Sequence, residues 1–142
     1  MMNAKYATAV GVLLLLTGCD YFSEQTDKPT LAGPKPDLDA LMDAELSVLR
    51  QDLPQKMADN LDMTDTRRIG KDVTYTYQFQ DEVTHAGNFD VAAGKKVAIP
   101  ELCNTASTRQ YLDAGYRFVF TYRFKQGADV VVHVVAADCK TI

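Results

Sequence analysis

The sequence predicts an α+β fold: an antiparallel four-stranded sheet made of two hairpins, helices packed mainly on one face, and one disulfide. Three observations point there. Apolar residues recur at helical spacing over residues 37–52, residues 61–79 and 116–137 alternate with period two, and a helix-compatible stretch lies between those two blocks. Helix, two strands, helices, two strands is the order of a sheet with its helices gathered on one side.

Leu38, Leu41, Met42, Leu46 and Leu49 form the stripe of the first helix. Asp37 or Asp39 can cap it, and acidic residues in its first turns complement the helix dipole. Pro54 ends it, because proline lacks an amide hydrogen and disfavours helix at the residue before it. In the first hairpin, Leu61, Met63 and Asp65 alternate against Asp62, Thr64 and Thr66, residues 67–72 turn around Gly70, and a strong strand follows. Val73, Tyr75, Tyr77 and Phe79 share one face of that strand, with Thr74, Thr76 and Gln78 on the other. Residues 88–103 predict a weak helix, interrupted by Gly94 and Pro100. Residues 105–114 predict a better one, with Leu102, Tyr111 and Leu112 inward and Gly115 as a left-handed cap. The closing hairpin sets Tyr116, Phe118, Phe120, Tyr122 and Phe124 against Arg117, Val119, Thr121 and Arg123. It turns at Gln126-Gly127 and returns through the buried run of residues 129–137.

Residues 1–18 have the layout of a secretory signal: Lys5 in a short positive region, then the apolar run of residues 7–16, then small residues. The run is shorter than the roughly 20 residues a membrane-spanning helix needs. Leu16-Thr17-Gly18-Cys19 resembles the cleavage site of a bacterial lipoprotein. That resemblance implies a diacylglyceryl group on the Cys19 sulfur, cleavage just before it and acylation of the new amino terminus. Each buried methylene contributes about 0.8 kcal/mol, so several chains make a durable anchor where one does not. Asp20 resembles the sorting residue that holds enterobacterial lipoproteins in the inner membrane. The inner membrane, with the domain facing the periplasm, is the expected site, and the outer membrane is the alternative. Residues 19–37 carry Pro29, Gly33, Pro34 and Pro36 and read as a flexible tether. In polyproline form, at about 3.1 Å per residue, the 18 residues after Cys19 reach at most roughly 55 Å. The periplasmic domain is then residues 38–142.

The formal charge of the whole chain is −4, and removing Lys5 with the signal makes it more acidic. This argues against nucleic acid and against polybasic attachment to anionic lipid. With Cys19 committed to lipid, Cys103 and Cys139 remain as a pair in an oxidising compartment, where a disulfide is the default. A reactive thiol or a metal pair is the alternative, and a metal would find only His85 and His133 as further histidine ligands. No catalytic constellation is evident. Ser23, Ser47 and Ser107 lack a nucleophile-elbow motif, and Asp62, Asp65, Asp81 and Glu82 lack the spacing of a working carboxylate pair. His133 reads as a strand residue and His85 as a surface loop residue. No phosphate loop, zinc motif or calcium loop appears, so neither an enzyme nor a cofactor is expected. The aromatic stripe reads first as core and sheet face. Some of Tyr75, Tyr77, Tyr116 and Tyr122 read as walls of a groove for a partner, since aromatics are favoured at interfaces.

One succession carries a family resemblance: Leu53-Pro54, Tyr75-Thr76-Tyr77, Cys103, residues 108–115 (TRQYLDAG), Tyr116-Arg117-Phe118 and Cys139. Over about residues 50–142 it resembles the β-type pilotins of type II secretion systems. The resemblance implies a sheet flanked by helices and a disulfide from the helical segment to the last strand. It also implies an acylated lipoprotein that binds the C-terminal segment of a secretin and takes it to the outer membrane. The expected function is therefore that of a non-enzymatic, membrane-anchored lipoprotein that binds another envelope protein. The alternative is a small-ligand-binding or hydrolase-inhibitor lipoprotein.

Overall fold

A computed structural model describes residues 35–141. The expected signal, the expected lipidation site at Cys19, the expected sorting role of Asp20 and the expected tether up to residue 34 lie outside the described residues. Helix α1 (Leu38–Gln51) starts at Asp37, whose carboxylate accepts hydrogen bonds from the backbone N–H groups of Asp39 and Ala40 at 3.0 and 3.2 Å. Then come β1 (Gln55–Ala58), β2 (Leu61–Ile69), β3 (Asp72–Phe79), α2 (Val91–Asn104), α3 (Ala106–Asp113), β4 (Arg117–Arg123), β5 (Val130–Val134) and a 3-10 helix (Ala136–Thr141).

The sheet is five-stranded and mixed, in the order β1-β2-β3-β4-β5. Two features correct the four-stranded antiparallel expectation. First, β1 is an added edge strand, and all four of its residues are exposed, so it carries no period-two signal. Second, β3 and β4 are parallel, while the other neighbouring pairs are antiparallel. The helical connection α2–α3 returns the chain to the end of the sheet where β3 begins. Asp72 lies opposite Arg117, and the Arg117 N–H donates to the Lys71 carbonyl at 2.8 Å. A connection of that length is what a parallel pair requires.

Local departures have equally local causes. The β2–β3 register shifts between Met63 and Asp65, and the buried positions of β2 are Met63 and then Thr66. This bulge turns Asp65 to solvent. The hairpin turn is narrower than residues 67–72: Ile69 pairs with Asp72, leaving Gly70-Lys71 as a two-residue loop with Gly70 at φ 59°. Helix α2 continues through Gly94 and Pro100 rather than breaking. Asp90 caps it by accepting from the Ala93 N–H at 3.0 Å, and a disulfide holds its far end.

The buried core joins Met42 and Leu46 of α1, Cys103 of α2 and Tyr111 and Leu112 of α3 to Val73, Phe118 and Val134 of the sheet. Cys103 and Cys139 form the disulfide, with their Cα atoms 5.6 Å apart. Helix α3 ends in paired hydrogen bonds, Gly115 N–H to the Leu112 carbonyl and Tyr116 N–H to the Tyr111 carbonyl, with Gly115 at φ 86°. Polar contacts fix α1. Arg68 grips the Asp43 carboxylate through Nε and Nη2 at 2.8 and 2.6 Å, Tyr111 donates to Glu45 at 3.1 Å, and Tyr116 donates to Asp39. The Tyr116 hydroxyl holds the Asp39 carboxyl below its ordinary range, and the Arg68 guanidinium does the same for Asp43.

Candidate functional site: a groove between α2 and the aromatic row

Gly94, Val97, Ala98, Glu101 and Leu102 recur at helical spacing and place one face of α2 over the sheet. Beneath them lie Tyr75 and Tyr77 of β3 and Phe118, Phe120 and Tyr122 of β4. Met57 and Leu61 close one side, and Thr105 and Thr108 contribute at the α2–α3 junction. The space enclosed is a groove of about 430 Å³.

The parallel register builds the floor. It sets Tyr75 beside Phe120 and Tyr77 beside Tyr122, and these rings stack with centroids 5.8 and 5.3 Å apart. Such pairs contribute about 0.5–1.5 kcal/mol beyond their burial. Beyond Tyr122, Phe89 packs against it at 4.5 Å, and Phe79 stacks on Phe124 at 5.3 Å. Phe89 comes from a loop organised by Asp81, which accepts hydrogen bonds from the Thr84 and Val83 N–H groups, the Thr84 hydroxyl and the Asn60 amide. Those donors, the Thr84 backbone foremost, pull the Asp81 carboxyl down to about 2.

Small residues on α2 leave the groove open. A Cβ at Gly94 would meet only Phe89 Cζ, at 3.9 Å, so packing does not require glycine there. The phenol hydroxyls of Tyr75, Tyr77 and Tyr122 have no hydrogen-bond partner among the described residues, whereas those of Tyr111 and Tyr116 do. Burial pushes the Tyr75 phenol up to about 12 and raises Tyr77 and Tyr122 as well. Burial, followed by the hydrogen bond to Glu45, pushes Tyr111 up to about 12.

These shifts fix the sign of an alkaline response. Folded values above the ordinary value of about 10 contribute stability that is present below pH 10 and is lost as the pH rises through about 12. Ultraviolet titration is expected to show most tyrosinate forming in one steep step, together with loss of near-ultraviolet circular dichroism. A gradual titration centred at about pH 10 with the fold intact would contradict this.

Of the tyrosines singled out from the sequence, Tyr75, Tyr77 and Tyr122 line the groove. Tyr116 does not. It is 1% exposed, packs edge-on against Tyr111 at 5.2 Å and has Lys71 Nζ 4.0 Å from its ring centre. His133 is exposed on β5, beside Val119, and His85 Nδ1 accepts from the Gly87 N–H at 3.1 Å. Among the described residues no three His, Cys, Asp or Glu side chains converge as a metal site. Nor is any helix among them long and apolar enough to cross a membrane. Sequence reasoning misses Gly94, Val97, Ala98 and Glu101 as groove residues. Their helical spacing is the available signal, hidden because Gly94 and Pro100 argue against a helix.

No family model matches the chain, and no curated protein matches it in sequence. Solved structures do match the fold. A candidate secreted protein of Pseudomonas aeruginosa superposes with a TM-score of 0.61 at 10% identity, covering 72% of this chain and 92% of that one. The type 2 secretion system pilotin EpsS of Vibrio vulnificus gives 0.58 at 19% identity, covering 72% and 91%. The type II secretion system pilotin AspS of Vibrio cholerae gives 0.54 at 18% identity, covering 72% and 92%. At these identities the likeness is one of fold, and the fold expected from the sequence resemblance is the fold these two pilotins share with this chain.

Proposed function

We propose that this chain is a non-enzymatic envelope lipoprotein. Acyl chains on Cys19 hold it to a membrane, and the groove under α2 captures an apolar segment of another envelope protein, as a pilotin captures the C-terminal segment of a secretin. The observation that carries the reading is the open aromatic groove on a pilotin fold. A tethered domain gains effective concentration at the membrane without additional contacts. Asp20 favours the inner membrane, and delivery to the outer membrane is the alternative. Mass spectrometry of the mature chain tests the anchor.

Binding is tested by titrating the C-terminal segment of the secretin encoded in the same genome. Saturable binding is expected, with a loss of about tenfold or more in Gly94→Leu, which adds a bulky side chain at a position that lines the groove. Gly94→Ala serves as the control. It is expected to gain about 0.5–1 kcal/mol of stability, because glycine is a poor helix residue and the added methyl meets no close neighbour. No saturable binding by the parent chain, or equal binding by Gly94→Leu, would defeat the proposal. The groove volume also lies in the range of small-molecule sites, which favours small-ligand binding as a second reading. Native mass spectrometry of protein taken from cells would reveal such a ligand.

A further inference from the structure

We infer that the groove selects a partner segment carrying a lysine or arginine among its apolar residues, with Glu101 as the counter-charge. This rests on the groove being the binding site. Glu101 is the one charged side chain among the residues lining the groove, and it has no ion-pair partner among the described residues. Lys95, on the same helix, is engaged by Asp138 at 3.6 Å. Glu101 of α2 and Tyr77 of the floor line the same groove, and the Glu101 charge is felt at the Tyr77 phenol, which it helps to raise.

That combination matches one kind of side chain. Lysine and arginine have an apolar stem, which lies along apolar surface while the charged head reaches a polar partner. A cation is also attracted to the face of a tyrosine ring. The open hydroxyls of Tyr75, Tyr77 and Tyr122 add acceptors for the N–H groups of the head. Other segments fare worse. A wholly apolar one would cover Glu101 without pairing it, which costs desolvation. An acidic one would meet Glu101 with no cation in the lining to offset the repulsion. The formal charge of −4 over the whole chain favours basic partners at long range as well.

A random peptide library displayed on phage and panned on the full chain tests this directly, whatever the natural partner is. Peptides eluted from the parent chain are expected to be apolar and enriched about two- to fivefold in Lys and Arg, the range an exposed ion pair supports. Panning on Glu101→Lys should replace that enrichment by Asp and Glu, and Gly94→Leu should recover neither set. Apolar binders that Gly94→Leu loses but that show no basic enrichment would overturn the charge selection and leave the groove reading standing. Failure to recover any binder that Gly94→Leu loses would overturn both.

Discussion

Replacing Cys103 and Cys139 together by alanine is expected to lower the stability of the domain by about 3–4 kcal/mol, read as a fall in the denaturant midpoint. The two cysteines are 36 residues apart, and closing a loop of that length restricts the unfolded chain by about that amount. Against a total of about 5–15 kcal/mol for a domain of ordinary stability, the loss is large. Its location sharpens the expectation. The bond joins the last turn of α2 to the 3-10 helix after β5. Helix α2 contains Gly94 and Pro100, which disfavour helix by about 1 and 3 kcal/mol relative to alanine. The brace therefore acts on the helix with the weakest intrinsic support, and that helix is one wall of the groove. Hydrogen exchange on the alanine variant should show the amides of residues 91–104 opening well before those of β3 and β4. An unchanged midpoint, or uniform exchange across α2 and the sheet, would refute this.

The elements legible in the sequence are those whose burial is regular. Strands β3 and β4 announce themselves because one face of each is a continuous aromatic and aliphatic row, and α1 does so through Met42 and Leu46. The cysteine pair is legible from its number and from the compartment the leader leads one to expect. Strand β1 is not, because an exposed edge strand has no buried face to impose alternation. The parallel pairing of β3 with β4 is not either, because side-chain period is the same in both directions and only the path of the connection decides. Helix α2 is only half legible, for a reason tied to the groove. Its groove face carries Gly94, Ala98 and a charged Glu101 where a packed helix would use leucines. Tyr116 misleads by belonging to the row in sequence. It directly precedes β4 in the cap that ends α3, and its ring packs against Tyr111 of that helix. The three tyrosines that do reach the groove are visible because strand alternation puts them on the helical face.

Phe118→Ala is expected to cost about 3–5 kcal/mol, the usual range for deleting a fully buried phenylalanine. Phe118 is 1% exposed and lies in the middle of the sheet, opposite Val73 on one side and Val134 on the other, both fully buried. It belongs to the same core cluster as Tyr111 and Leu112 of α3, so removing it withdraws contacts from two layers at once. The contrast is with Tyr122, four residues along the same inward row. Both side chains line the groove, but the Tyr122 ring is only partly buried and its hydroxyl has no partner among the described residues. Tyr122→Ala should cost about 1–2 kcal/mol, because part of its surface already faces solvent and less contact is lost. Its effect on capture of an apolar segment should be the larger of the two once both variants are measured at a temperature where each is folded. A single row of alternating residues would then divide by depth, with Phe118 holding the helices to the sheet and Tyr122 presenting surface to a partner. Equal stability losses at the two positions would contradict that division, as would a Tyr122→Ala chain that binds as well as the parent.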